Sequence, residues 1–184
     1  MNMNVPEAQA VPSHREVTDA RAELERLHRE SYAWALNCCG RNADVAEEVL
    51  HDVYVKVLEG RAQFDGRSSF KTWLFGVIRL TAAHHRRRSL IRRVPLRRHG
   101  GAVSNRSQNP EEALCRKEAH RQVREALGRL PRRQREILLL VFYHDLTIYE
   151  ASEVMGLSVG SARTHYHRGK QSLRRLLGPE TNPP

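Results

Sequence analysis

The stretch from Leu90 to Asn109, LIRRVPLRRHGGAVSNRSQN, limits what this chain can become more than any other. Pro95, the Gly100-Gly101 pair and the Ser and Asn residues after them break any helical or strand period, and mostly arginines remain. No continuous packed body can be built through such a segment, so residues 90–109 read as a flexible basic linker between two separate modules. On either side the apolar residues recur at helical spacing and nowhere in strict alternation. That predicts an all-α fold of two small helical modules, 19–89 and 110–178, with a disordered tail over 1–18 and a short tail over 179–184. A chain of 184 residues has room for two such modules and little more.

Charge is distributed as unevenly as structure. Lys and Arg number 31 against 21 Asp and Glu, a formal +10, and a surplus of that size points to a polyanionic partner. Between Gly66 and Pro110 there is no acidic residue at all, while Arg67, Lys71, Arg79, Arg86, Arg87, Arg88, Arg92, Arg93, Arg97, Arg98 and Arg106 all fall there. Just upstream, Asp44, Glu47, Glu48, Asp52 and Glu59 form an acidic block. The first module should therefore offer one surface to a basic partner and another to an anion.

Within that module a first helix is expected from about Asp19 to Cys39, turning Leu24, Leu27, Tyr32 and Ala35 inward. A second, from Asn42 or Asp44, carries Val49, Val53 and Val57 in one row with Leu50, Tyr54 and Leu58 beside it. That spacing of four outvotes the strand preference of valine and leaves Glu47, Glu48, His51 and Asp52 on the opposite side. A third helix follows DGRSS, capped by Ser68 or Ser69. It is expected to bury Phe70, Trp73, Leu74, Val77 and Ile78 before running into AHHRRR.

The second module opens at Asn109-Pro110-Glu111-Glu112, a cap residue followed by proline and acids in the first turn. That helix should reach about Gly128, and Pro131 should open another, PRRQREILLLVFY, with its apolar run buried. Thr147 and Glu150 then have the spacing of a capping box. The helix they start buries Ile148, Ala151, Val154 and Met155 and ends at Gly156, a residue suited to left-handed backbone; Ser158 caps the next helix. The last helix is expected to bury Val159, Ala162, Tyr166, Leu173, Leu176 and Leu177, leaving Ser161, Arg163, Thr164, His165 and Arg168 open near its start. Two short helices joined by a tight turn, the second baring polar donors, form the layout of a helix-turn-helix that reads the major groove. A plain helical hairpin with a solvated arginine face is the alternative.

Other classes are disfavoured. There is no set of clustered carboxylates at metal spacing, no phosphate-binding glycine loop and no Ser/His/Asp arrangement, so neither enzyme activity nor a cofactor is expected. Cys38, Cys39 and Cys115 are odd in number and match no zinc spacing. Cys38 and Cys39 are read as buried thiols. His165 and His167, two apart, do not share a helical face, so no metal is expected. The N-terminus lacks the basic start and apolar run of a secretion signal, and no apolar stretch approaches the ~20 residues that span a bilayer. A cytoplasmic protein is expected.

With both modules in view the chain resembles a family. LPRRQREILLLVFYHDLTIYEASEVMGLSVGSARTHYHRGKQSLRRLL is similar to region 4 of bacterial sigma factors of the extracytoplasmic-function (ECF) group. ADVAEEVLHDVYVKVLEGRAQFDGRSSFKTWLFGVIRLTAAHHRRR is similar to region 2 of that group, and the two stand in the right order with a linker in place of region 3.

The resemblance implies a dissociable subunit of RNA polymerase. Region 2 would grip the β′ clamp helices and open the −10 promoter element; region 4 would sit on the β flap and read the −35 element. Placed on this chain, the polymerase contact falls on Glu47, Glu48, His51 and Asp52, with His51 where the family usually has Gln. The −10 contact falls on Lys71, Arg79, Leu80, Thr81, His84, His85, Arg86, Arg87 and Arg88, with Leu80 where Asn is common. Phe70 and Trp73 would either stack on unpaired bases or stay in the core, as their helical spacing suggests. The −35 contact falls on Ser158, Gly160, Ser161, Arg163, Thr164, His165 and Arg168, and Arg163 is the leading candidate. Control by an anti-sigma factor is implied as well. About 20 extended linker residues reach at most ~70 Å, enough for one chain to hold two separated DNA elements at once.

Overall fold

The computed structural model describes residues 14–91 and 110–178. Seven helices account for its regular structure: α1 (His14–Cys38), α2 (Ala43–Leu58), α3 (Phe70–Ile91), α4 (Pro110–Arg129), α5 (Arg132–Phe142), α6 (Ile148–Met155) and α7 (Val159–Leu177). No strand occurs among the described residues, and no helix is long and apolar enough to cross a membrane. The chain divides into two units, Met1–Gly100 with α1 to α3 and Gly101–Pro184 with α4 to α7. Residues 1–13, 92–109 and 179–184 lie outside the described ones, and with them most of the segment read as a linker and the tails.

The first unit is a three-helix bundle in which each helix packs on the other two. α1 begins at His14, ahead of the expected Asp19, because Pro12 is the nearest helix breaker in the sequence and nothing after it opposes helix. Asn42 caps α2 by accepting from the Val45 amide at 3.0 Å. Ser69 caps α3 by accepting from the Thr72 amide at 3.1 Å. The Val49, Val53 and Val57 row of α2 is buried as its spacing predicts.

α3 departs from expectation. Leu74 and Ile78 are buried, but their partner is Phe75, while Phe70, Trp73 and Val77 are only half-buried. Trp34 is the cause: its ring stacks on Phe75 with centroids 5.8 Å apart. Its indole N–H donates to the Phe75 carbonyl at 3.0 Å. This contact rotates the buried side of α3 toward Phe75, Ile78 and Ala82. Nearby, Tyr54 lies 3.1 Å from His28 Nδ1. Burial raises its phenol above the usual range. Cys38 and Cys39 are buried, as expected.

In the second unit, α5 packs against α6 and α7, and α4 against α7. Ile137, Leu138 and Leu140 are buried, but the expected burial of the whole α5 run stops short: Phe142 and Tyr143 are 61% and 64% exposed. They lie at the C-terminal end of α5, where the Phe142 ring meets α7 only through a stack on Tyr166, centroids 5.9 Å apart, and is left open on its other side. Leu176 likewise is 41% exposed rather than core, because α7 buries the row through Ala162 and Gly169, with Tyr166, Leu173 and Leu177 half-buried along it. At Gly169 the helices come closest; a Cβ there would sit 3.2 Å from the Gln134 carbonyl oxygen and 3.2 Å from Leu138 Cδ1. Gly169→Leu is therefore expected to destabilise the second unit by about 1–3 kcal/mol through overpacking, read as a lower urea midpoint by circular dichroism.

Candidate nucleic-acid interface

α7 presents a polar face from its first turn. The approach to it is fixed by local hydrogen bonds. Thr147 and Glu150 cap α6 reciprocally: Glu150 Oε2 accepts from the Thr147 amide at 2.8 Å, and Thr147 Oγ1 accepts from the Glu150 amide at 3.2 Å. Gly156 takes the left-handed conformation at φ 61° that terminates the helix. Ser158 caps α7 by accepting from the Ser161 amide at 3.2 Å.

Of the residues expected on this face, Ser158, Gly160, Ser161, Arg163, Thr164 and Arg168 are exposed and His165 is half-buried. Two hydroxyls are already engaged, Ser158 with Ser161 Oγ at 2.9 Å and Thr164 with the Gly160 carbonyl at 3.0 Å. Both side chains thus serve helix geometry first. Arg163 has no polar partner among the described residues and projects from a helix without a single acid. A guanidinium held out from such a helix has the donor pair that fits guanine in the major groove.

In the first unit α3 divides the nine expected contact residues. Leu80, His84, Arg87 and Arg88 are exposed, Lys71, Arg79, His85 and Arg86 are half-buried, and Thr81 is buried at 5% exposure. Thr81 therefore does not stand on the open face; it takes a hydrogen bond from Lys56 Nζ at 3.4 Å. Lys71 pairs with Glu30 and lies over the Phe75 ring, and Arg86 donates to the Cys38 carbonyl. His85 faces α2: its Nε2 is 2.8 Å from Asp52 Oδ2 and its Nδ1 is 3.7 Å from Glu48 Oε2. These residues lie on the side of α3 that packs inward, although the resemblance places them at the −10 contact.

On α2, Glu47, Glu48 and His51 are exposed and Asp52 is half-buried, so the acidic face is open except where His85 meets it. Between α2 and α3 runs an open groove of about 470 Å³, lined by His51 and Asp52 of the acidic face as well as by Lys56, Arg61, His84 and Arg88. Lys56 and Arg61 had not been anticipated there. The available signal was Lys56, the one basic residue of α2, placed one turn after Asp52. Beyond α2, Phe64, Phe70 and Trp73 form an aromatic cluster with centroids 5.2 to 5.5 Å apart.

Comparisons with known proteins place both units in one family. Residues 24–90 match the family described as Sigma-70 region 2, and residues 120–173 match Sigma-70, region 4. RNA polymerase sigma factor YlaC of Bacillus subtilis (strain 168) is 29% identical over 166 residues, 85% of this chain and 93% of that protein. ECF RNA polymerase sigma factor SigX of the same organism is 30% identical over 141 residues, 74% of this chain and 73% of that protein. Among solved structures, the fold is shared by the sigma factor RpoE in complex with the anti-sigma factor NepR from Bartonella quintana. The TM-score is 0.69 at 20% identity, covering 89% of this chain and 99% of that one. It is also shared by CnrH in complex with the cytosolic domain of CnrY, with a TM-score of 0.59 at 24% identity, covering 89% and 91%. Both modules match in order, and relatives match across most of their own length: the chain belongs to the ECF group of RNA polymerase sigma factors.

Proposed function

We propose that this chain is a dissociable subunit that binds core RNA polymerase in the cytoplasm and directs initiation at promoters carrying −35 and −10 elements. It performs no bond chemistry of its own. The acid-free α7, baring Arg163 behind a doubly capped turn, carries the reading. Arg163 is the base-reading residue of the −35 element, with Arg168 holding phosphate and Ser158, Gly160, Ser161, Thr164 and His165 flanking it. Leu80, His84, Arg87 and Arg88 face the −10 element, joined by Lys71, Arg79 and Arg86 at the margin. His85 and Thr81 act from behind, positioning α3 on α2. Glu47, Glu48, His51 and Asp52 dock on a basic surface of the β′ subunit, and α4 to α7 rest on the β flap. One solved neighbour is a sigma factor in complex with an anti-sigma factor, which supports control of this chain by a protein that masks its surfaces.

Run-off transcription with core polymerase on a genomic fragment library tests the whole reading. Initiation should require both components and yield the recognised elements. Initiation that needs no core enzyme, or none with it, rejects the reading. On the promoter recovered, Arg163→Ala should weaken −35 binding by about 1–3 kcal/mol and relax selectivity at one base pair. A uniform loss across sequences would instead mark Arg163 as a phosphate contact.

A further inference from the structure

Leu80 is 61% exposed in the middle of the basic helix α3. A single exposed leucine is ordinary on a protein surface, but its surroundings here are not. Trp73, Val77, Leu80, His84 and Arg87 succeed one another at spacings of three and four, so they form one stripe along α3. The stripe begins half-buried at the Phe64–Phe70–Trp73 aromatic cluster, becomes aliphatic, and ends in exposed cations. His84, one turn beyond Leu80, also lines the groove that holds Lys56, Arg61 and Arg88. Asp52 lines the groove too, but His85 sits 2.8 Å from its carboxylate and Lys56, Arg61 and Arg88 outnumber it, so the groove is basic on balance. Aromatic rings and a basic groove on one unit are the groups that hold an unpaired nucleic-acid strand, the bases on the rings and the phosphates on the cations.

Leu80 does not line the groove but stands one turn before His84, which does, so a strand whose phosphates follow the groove can set a base on Leu80. An isobutyl side chain offers no donor or acceptor, so it cannot distinguish bases by hydrogen bonding. Among the four bases only thymine presents an apolar substituent at its edge, the C5-methyl group. We propose that Leu80 is a specificity-determining residue that selects thymine in the unpaired −10 strand by packing on its methyl group, while Lys56, Arg61, His84 and Arg88 hold the adjoining phosphates. The assignment rests on the sigma-factor reading and adds to it a base preference and two phosphate contacts, Lys56 and Arg61.

Oligo-dT and oligo-dU differ only in that methyl, which makes them the probes. Fluorescence anisotropy of the full chain at low salt should show tighter binding of oligo-dT than of length-matched oligo-dU, by roughly three- to fivefold for one seated thymine. Oligo-(5-methyl-dC) should exceed oligo-dC by a similar factor. Leu80→Ala should erase both ratios and Leu80→Met should keep them; Leu80 is exposed enough that neither change threatens the fold. Lys56→Ala with Arg61→Ala should weaken all probes alike and flatten the salt dependence by about 0.7 per lost phosphate contact. Equal affinity for dT and dU, a ratio that survives in Leu80→Ala, or binding of no probe overturns the proposal. Run-off initiation reads the parent reading separately. A chain that initiates with core polymerase yet ignores the methyl sinks this assignment alone. A methyl preference that depends on Leu80 in a chain that never initiates sinks the parent reading and leaves the methyl contact standing.

Discussion

Trp34→Ala is expected to cost the first unit about 3–5 kcal/mol, the range for removing a large aromatic from a packed core. Trp34 is fully buried, stacks on Phe75 and donates its indole N–H to the Phe75 carbonyl. Its truncation opens a cavity where α1 meets α3 and strands no charge, so the loss is packing and one hydrogen bond. Trp34→Phe keeps a ring and loses the donor, and should cost a smaller share, about 1 kcal/mol of it from the bond. Urea unfolding followed by circular dichroism measures both. A Trp34→Ala protein within about 1 kcal/mol of wild type would mean that α3 is held by something other than this contact.

Reversing the acidic face should have the largest functional effect. Glu48→Lys combined with Asp52→Lys is expected to weaken binding to core polymerase by more than about a hundredfold, because like charges brought together at an interface cost several kcal/mol. The pair also takes both acids from His85, so α3 itself could be disturbed. Asp52→Asn separates the effects: it removes the charge and keeps an oxygen for His85. If the face acts by charge, Asp52→Asn should weaken core binding while leaving the thermal unfolding curve in place. Competition with a labelled sigma factor for core enzyme reads the affinity. Unchanged affinity in the double reversal would remove α2 as the docking surface.

What was legible in the sequence was chiefly what depends on neighbours in the chain. The caps at Asn42, Ser69, Thr147 and Ser158 and the left-handed Gly156 are decided within four residues, and each is where its motif puts it. The valine row of α2 was also readable, since three positions spaced four apart define a face without outside help. The face of α3 was not. Which residues turn inward depends on Trp34, forty-one residues upstream of Phe75, and no local period contains that information. Thr81 and His85, placed at the −10 contact by resemblance alone, likewise turn toward α2, where they meet Lys56 and Asp52. Phe142 and Tyr143 were misplaced for another reason: an apolar run shows that burial is wanted, but the packing of α7 decides how much of each ring is covered, and it gives Phe142 a single stacking partner, Tyr166. Lys56 and Arg61 join His84 and Arg88 only once α2 and α3 have packed, so that cluster has no linear signature.

The close approach at Gly169 bears on how promoter choice can change. With glycine there, α7 lies almost directly on the carbonyl of Gln134 and on Leu138, and side chains elsewhere cannot be enlarged to retilt it without prising that seam apart. If Arg163 reads a base pair as proposed, its angle of approach is inherited from the rear of the module, away from the reading face. Drift in α5, silent by any inspection of the reading face, would re-aim that face as a whole.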